Sequence, residues 1–246
     1  MHVALFVPCY IDQFYPQVAR ATLALLEKLG CTVTFSPDQT CCGQPMANAG
    51  FADTSRDTMR HFTRTFAPFD YVVAPSGSCV LHVREHYETL AQTDAVQHVR
   101  AQIYELCEFL TDVLGIDHLD AAFPHRVGLH ASCHGLRGLH LARPSEINAP
   151  PFDKVRHLLN LVDGIELVDL ARPDECCGFG GTFAVSEEAI SVKMGRDRVE
   201  DHLAHGAEVI TSTDMSCLMH LDGLIRREQR PVRVLHVAEI LNGGSA

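Results

Sequence analysis

Eight of the ten cysteines in this 246-residue chain fall into a pattern that occurs twice. Cys9 is followed after 31 residues by the adjacent pair Cys41-Cys42, and after 36 more by Cys79. Cys133 is followed after 42 residues by Cys176-Cys177, and after 39 more by Cys217. Each pair precedes a glycine, in CCGQPMANAG and CCGFGGTFAV. A thiolate must be deprotonated and held against repulsion from its neighbours, and a bound cation or cationic cluster resolves that repulsion. Four thiolates per half meet the requirement of a [4Fe-4S] cluster or of a tetrahedral zinc ion. Adjacent side chains diverge, so a vicinal pair reaches two metal atoms of a cluster more readily than two vertices of one tetrahedron. Zinc sites usually show C-x2-4-C pairs, which are missing here. Iron–sulfur is therefore placed ahead of zinc, with Cys9, Cys41, Cys42 and Cys79 as ligands in one half and Cys133, Cys176, Cys177 and Cys217 in the other. Gly43 and Gly178 then permit positive φ or close backbone approach beside a bulky inorganic core.

Duller readings account for other residues. Buried free cysteine is common as a small apolar side chain. Cys31, at the start of a strand, and Cys107, among Leu106, Phe109 and Leu110, are read that way, since neither has a counterpart in the other half. A vicinal disulfide in either pair closes a strained ring and leaves the duplication unexplained. GFGGT, Gly178 to Thr182, precedes a helix but lacks the G-x-G-x-x-G order and the lysine of a phosphate loop. His82 and His220 repeat at C-x2-H spacing and are secondary ligand candidates, although an uncoordinated histidine at a helix start is ordinary. His130, His134 and His140 have no pairing that reads as catalytic, and no base paired with a hydride acceptor is evident.

The elements that must position the thiols repeat with them. HVALFVPCY reads as a strand ending at Cys9, PQVARATLALLEKLG as an amphipathic helix closed by Gly30, and CTVTFSP as a strand leading to the first CCG turn. A helix from about Thr54 to Thr65, a strand DYVVAPSGSC ending at Cys79, and helices through Leu114 complete the first half. The second half runs RVGLHASC, PPFDKVRHLLNLVDG, IELVDL, CCG, SEEAISVKMGRDRVEDHLAHG, AEVITSTDMSC, LMHLDGLIRREQ and VRVLHVAEILN. SCVLH at Ser78 to His82 recurs as SCLMH at Ser216 to His220, and YELCEFL has its echo in HVAEILN. Strands alternating with helices predict an α/β fold of two pseudo-symmetric halves, each a parallel sheet flanked by helices. The join is expected near Phe123 to Val127, giving domains 1–124 and 125–246. The cysteines fall at or just past the carboxyl ends of strands, the edge where open α/β sheets bind ligands.

Composition sets the wider frame. Hydrophobic residues at 46% and charged residues at 21% describe an ordered globular chain as far as the NGGSA tail. MHVALFVPCY has no basic leader, long apolar run or cleavage site, and no stretch reaches transmembrane length. A cytoplasmic, reducing setting is expected, in which structural disulfides are rare and metal or redox roles rise. A net charge of −11 without a basic run argues against nucleic acid and fits docking on a basic patch of a partner.

The duplicated C-x(n)-C-C-G-x(n)-S-C pattern resembles the cysteine-rich CCG domain found in the B subunit of heterodisulfide reductase, in the iron–sulfur subunit of glycolate oxidase and in the C subunit of anaerobic glycerol-3-phosphate dehydrogenase. FVPCYIDQFYP, CCGQPMANAGF, APSGSC, CCGFGGTFAVS and TDMSCLMH together resemble, more narrowly and over almost the whole chain, the lactate utilization protein A family. That resemblance implies an iron–sulfur subunit of an L-lactate to pyruvate oxidising complex. It further implies lactate utilization proteins B and C as partners, lactate as pathway substrate, no flavin on this chain, and no activity without the other subunits. The heterodisulfide reductase likeness implies the alternative of a thiol–disulfide reductase, and a zinc-binding structural module is a third reading. The heterodisulfide pattern ends C-x-x-C, whereas here the last position is His82 or His220. A four-thiolate cluster is thus expected, rather than a non-cubane one with a fifth cysteine.

Overall fold

An apolar strand buried on both faces belongs at the centre of a parallel sheet, and β1 (His2–Leu5) with its continuation Phe6-Val7 is such a run, buried from Val3 onward. The computed structural model of the chain describes residues 1–244, so Ser245 and Ala246 of the C-terminal tail lie outside the described residues. After β1 come α1 (Cys9–Phe14), α2 (Pro16–Lys28), β2 (Thr32–Phe35), α3 (Gln44–Asn48) and α4 (Ala52–Phe66). The first half continues with β3 (Val72–Ala74), α5 (Gly77–His86), α6 (Asp94–Gln102), β4 (Ile103–Glu105) and α7 (Leu106–Glu108). The second half contains β5 (Arg126–Leu129), α8 (Lys154–Leu159), β6 (Glu166–Leu167), α9 (Phe183–Ser186) and α10 (Glu188–Ala204). It ends with β7 (Val209–Ser212), α11 (Met215–Glu228), β8 (Arg233–His236) and α12 (Val237–Leu241).

The two four-stranded sheets are wholly parallel and have the same order, β2-β1-β3-β4 and β6-β5-β7-β8. The chain leaves β1 toward one side of the sheet for β2 and returns to its other side for β3. The loops after β1 and β3 therefore diverge and leave a crevice at the strand ends, the topological switch point of an open parallel sheet. Cys9 and Cys79 follow these two strands, and Cys133 and Cys217 follow their counterparts β5 and β7.

The predicted architecture of two related halves, each a parallel sheet flanked by helices, is the observed one, with local differences. The segment expected to be helical through Leu114 contains β4, three residues whose partners are Val72, Val73 and Ala74. So short a strand shows no periodicity of its own, and only the neighbouring β3 makes it extended. Strand β3 stops at Ala74, and Cys79 lies in the first turn of α5, where Ser76 Oγ caps the helix by accepting from Cys79 N at 3.3 Å. IELVDL pairs over only Glu166–Leu167.

The halves are joined where the two S-C turns meet. Ser76 and Asp214 form an antiparallel bridge, and Gly77 N donates to Thr213 O at 3.4 Å. Asp214, fully buried, accepts from Ser76 Oγ at 3.0 Å, Ser78 N at 3.1 Å and Ser78 Oγ at 2.7 Å. Near this seam the last helix of each half begins in the same backbone geometry, Glu105 at φ −69° and ψ 147°, His236 at φ −70° and ψ 148°. Glu105 Oε2 accepts from Cys107 N and Glu108 N, while His236 Nδ1 accepts from Ala238 N. The caps are matched in role and opposite in chemistry.

Burial, with the charges of Glu108 and Asp214 adding to it, pushes the Glu105 carboxyl up to about 8. A carboxyl whose folded value lies above its unfolded 4.5 supplies stability that is complete below 4.5 and is lost as pH rises through 8. Glu105→Gln keeps an oxygen for both amides and abolishes this titration. The variant's stability relative to wild type should rise by roughly a few kcal/mol between pH 5 and 8 and level off above that. Urea midpoints of the full chain across this range check it, and a pH-independent difference would contradict the assignment.

Candidate metal centre

Both CCG loops turn on a glycine in the left-handed region, Gly43 at φ 94° and Gly178 at φ 88°. That turn aims the glycine amide back at the first sulfur of the pair, 3.4 Å from Gly43 N to Cys41 Sγ and 3.3 Å from Gly178 N to Cys176 Sγ. In the second half Phe179 N also donates to Cys177 Sγ at 3.5 Å. The first loop is pinned from below by Tyr87, a fully buried ring edge-on to Phe62, whose hydroxyl donates to Cys42 O at 2.9 Å. The second is approached by a segment whose Ala171 N and Arg172 N both donate to Asp201, at 3.1 Å each. Asp201 is itself paired at 3.2 Å with the fully buried Arg198 on α10. Thus the two motifs share a turn but rest on different supports.

The eight cysteines come together as two rows of four. In the first half Cys9 and Cys41 are 3.8 Å apart at sulfur, with Cys42 and Cys79 beside them. In the second, Cys133, Cys176, Cys177 and Cys217 are neighbours in the same order, Cys177 and Cys217 within 4.8 Å at sulfur. All are free thiols. The neighbouring thiols Cys42 and Cys9 and the Gly43 amide lower the Cys41 thiol, and Cys133, Cys177 and the Gly178 amide lower that of Cys176. Cys9 and Cys133, beside those sulfurs, are pushed up, as are the buried Cys42 and Cys177. Each row has one sulfur ready to ionise, and further ionisation places like charges side by side. A soft cation or an iron–sulfur core, which ligates thiolates and supplies the compensating charge, fits this donor set.

Both rows open onto one cavity of about 520 Å³, which meets Cys9, Cys42 and Cys79 from the first half and Cys133, Cys176, Cys177 and Cys217 from the second. The sequence pattern places a row at the rim of each half; that the rims face each other follows from the Asp214 seam. Apolar walls come from Pro8, Ile11, Pro45, Met215 and Val185. Tyr10 of the first half meets Phe179 of the second edge-on, ring centres 6.1 Å apart. The glycine-rich run forms cavity wall too, with Gly180 at φ 53° and Gly181 at φ 64°, and is followed by a helix of only four residues.

The histidines divide. His82 is buried within α5, stacked on His86 at 5.0 Å, and lowered to about 4 by burial and then by His86. His220 Nε2 lies 3.3 Å from Ser191 O. Neither lines the cavity, and neither belongs to the group of converging ligand atoms found among the described residues. That group is His130, Cys177 and Cys217, within 4.8 Å of one another. His130 is buried beside the second row and lowered to about 3, by burial first and then by the charge of Arg198. Sequence reasoning leaves it without a partner, because the residues it meets are 47 and 87 positions away (177 − 130 and 217 − 130). Cys31 and Cys107 lie in the hydrophobic core and do not line the cavity.

Comparison with known proteins agrees with this duplicated construction. The family model for the cysteine-rich CCG domain matches twice, at residues 3–84 and 127–222. Lactate utilization protein A of an Exiguobacterium species is 43% identical over 99% of this chain and 98% of its own length. The protein of that name from Geobacillus thermodenitrificans is 41% identical over 98% of this chain and 99% of its own. A crystal structure of a hypothetical protein from Helicobacter pylori covers all of this chain and 49% of its own length, with a TM-score of 0.63 at 12% identity, a likeness of fold. Among the described residues no helix is long and apolar enough to cross a membrane. The chain belongs to the lactate utilization protein A family, and both of its halves are CCG cysteine-rich domains.

Proposed function

We propose that this chain is the iron–sulfur electron-transfer subunit of a system that oxidises L-lactate to pyruvate. The observation that carries the reading is that seven cysteines scattered from Cys9 to Cys217 line one cavity, with the eighth, Cys41, 3.8 Å from Cys9 at sulfur. Cys9, Cys41, Cys42 and Cys79 hold one [4Fe-4S] cluster, and Cys133, Cys176, Cys177 and Cys217 hold the other. The lactate assignment is supported by the names of the relatives. Lactate gives up two electrons and two protons in becoming pyruvate, and an iron–sulfur cluster passes electrons singly, so one in each half suits the stoichiometry. The chain's own residues select and insulate. Glycine amides favour the thiolate at Cys41 and Cys176, and the walls of Pro8, Ile11, Pro45 and Met215 limit water at the sulfurs. Lactate utilization proteins B and C are the partners, and the centre that oxidises the substrate lies on one of them.

One observation favours a second reading, thiol–disulfide reduction: the single cavity touches both cysteine rows and has room for a small substrate between them. Anaerobically prepared protein should contain iron and acid-labile sulfide in equal amounts and give cluster signals by electron paramagnetic resonance. Stoichiometric zinc without sulfide would sink both readings. Lactate should reduce the clusters once proteins B and C are added; oxidation of reduced clusters by a disulfide, with no response to lactate, would select the second.

Substitution separates ligands from core thiols. Cys41→Ser or Cys177→Ser should strip iron from one half and spare the other, while Cys31→Ser and Cys107→Ser retain the wild-type content. Uniform loss across these four variants would contradict the division.

The two motif glycines should differ in sensitivity. A Cβ on Gly43 meets only ordinary contacts, 3.5 Å from Met59 Cγ and 3.6 Å from Ser55 O, so Gly43→Ala costs about 1–2 kcal/mol for the left-handed backbone. A Cβ on Gly178 falls 2.7 Å from Met194 Cβ and from Ser191 O, and overpacking adds about 1–3 kcal/mol more. Urea denaturation should rank Gly178→Ala below Gly43→Ala; equal losses would show that α10 gives way freely.

A further inference from the structure

The halves differ at one position next to the sulfurs. Three residues before Cys9, at the end of β1, the chain places Phe6; three before Cys133, at the end of β5, it places His130. Phe6 packs edge-on to Phe62 at 4.8 Å and to Phe66 at 5.6 Å, wholly inside the aromatic core. His130 is held by its own backbone, N donating to Thr211 O at 2.8 Å, and lines the common cavity. Its ring is buried, and neither Nδ1 nor Nε2 has a hydrogen-bond partner within the chain. A buried imidazole without partners is costly, about 1–3 kcal/mol for each unmet group, so such a ring marks a place where something else completes the bonding. One ring nitrogen lies with Cys177 Sγ and Cys217 Sγ inside a 4.8 Å circle. Four cysteines already provide the four ligands that a cluster needs, which leaves the imidazole as a donor to sulfur.

We propose that His130 donates a hydrogen bond to a ligating sulfur of the second row, Cys177 or Cys217, and thereby makes the second half the higher-potential of the two sites. The inference rests on the iron–sulfur reading above. An N–H group directed at a thiolate forms a charge-assisted bond and stabilises the more negative, reduced state of the centre, which raises its potential. Phe6 donates nothing at the matching place in the first half. His82, the buried histidine on that side, likewise has neither ring nitrogen bonded, but it does not line the cavity and is not among the converging ligand atoms of the described residues, so it faces no pair of sulfurs as His130 does. An electron shared between the two halves therefore resides in the second, with the first-half centre oxidised by one electron and the second reduced by one.

The test is a redox titration followed by electron paramagnetic resonance on the anaerobically prepared full chain carrying Cys41→Ser, which leaves only the second-half centre to be read. His130→Phe, copying the first half, should lower the midpoint potential, and His130→Gln, which keeps an N–H donor, should recover part of the shift. An unmoved midpoint in the Phe variant, or equal shifts in both, would overturn the proposal. If the Phe variant fails to fold or to hold iron, the Gln variant is compared with a measurement on the unsubstituted ring. The second-half centre should couple to an exchangeable proton that disappears in heavy water, and absence of such a proton also overturns the proposal. Iron and sulfide assays on every sample separate the two levels: a wild-type chain without sulfide defeats the iron–sulfur reading itself, whereas a loaded chain with an indifferent midpoint defeats only the role of His130.

Discussion

The carboxylate of Asp214 holds the molecule to its purpose. It is fully buried and belongs to the second half, yet its oxygens accept from Ser76 Oγ, Ser78 N and Ser78 Oγ of the first. A buried carboxyl is tolerated only where several donors converge on it, and leaving such a group unmatched costs about 1–3 kcal/mol. The donors belong to the turn that carries Cys79, and Asp214 belongs to the turn that carries Cys217. One polar knot thus fixes the last ligand of each row relative to the other, and brings the rim of one sheet face to face with the rim of its partner.

The sheets determine which residues reach that cavity. In each, the central strand, β1 or β5, has the next two strands of its half on opposite sides, so the loops after the two middle strands part and leave space at the carboxyl ends. Single cysteines occupy those diverging loops, and the vicinal pair arrives from the strand at the sheet edge. The glycine after each pair is required by the turn itself, since positive φ is what carries its amide back to the first sulfur. That glycine amide, together with the neighbouring thiols, lowers the pKa of Cys41 and Cys176.

The sequence announces much of this because duplication turns spacing into evidence. The order C, CCG, C recurs across unrelated loop lengths, and strands that end near each cysteine convert the linear pattern into a common edge. What stays hidden depends on contacts between segments remote in the chain. Nothing in TDMSC marks Asp214 as a buried junction residue, for its donors lie 136 to 138 positions away. β4 is invisible because three residues borrow their extended state from β3. His130 looks like any histidine near a strand end until Cys177 and Cys217 are folded against it. Arg198 and Asp201 read as surface charges on a polar helix, whereas the structure buries both to anchor the approach to Cys176.

Charge around the sulfurs leads to one further conclusion about how the rows are filled. The buried histidines cannot supply compensating positive charge: desolvation lowers His82 and His236 to about 4, His130 to about 3 and His202 to about 2, so all are neutral near pH 7. Arg198 is paired with Asp201, and Arg137 with Glu146. Neighbouring sulfur and burial together push the thiols of Cys9, Cys42, Cys133 and Cys177 up. Under the proposed reading, positive charge enters with the metal, and each remaining thiol gives up its proton as it ligates. The second half adds one neutral group that the first lacks beside its sulfurs, the buried imidazole of His130 next to Cys177 and Cys217.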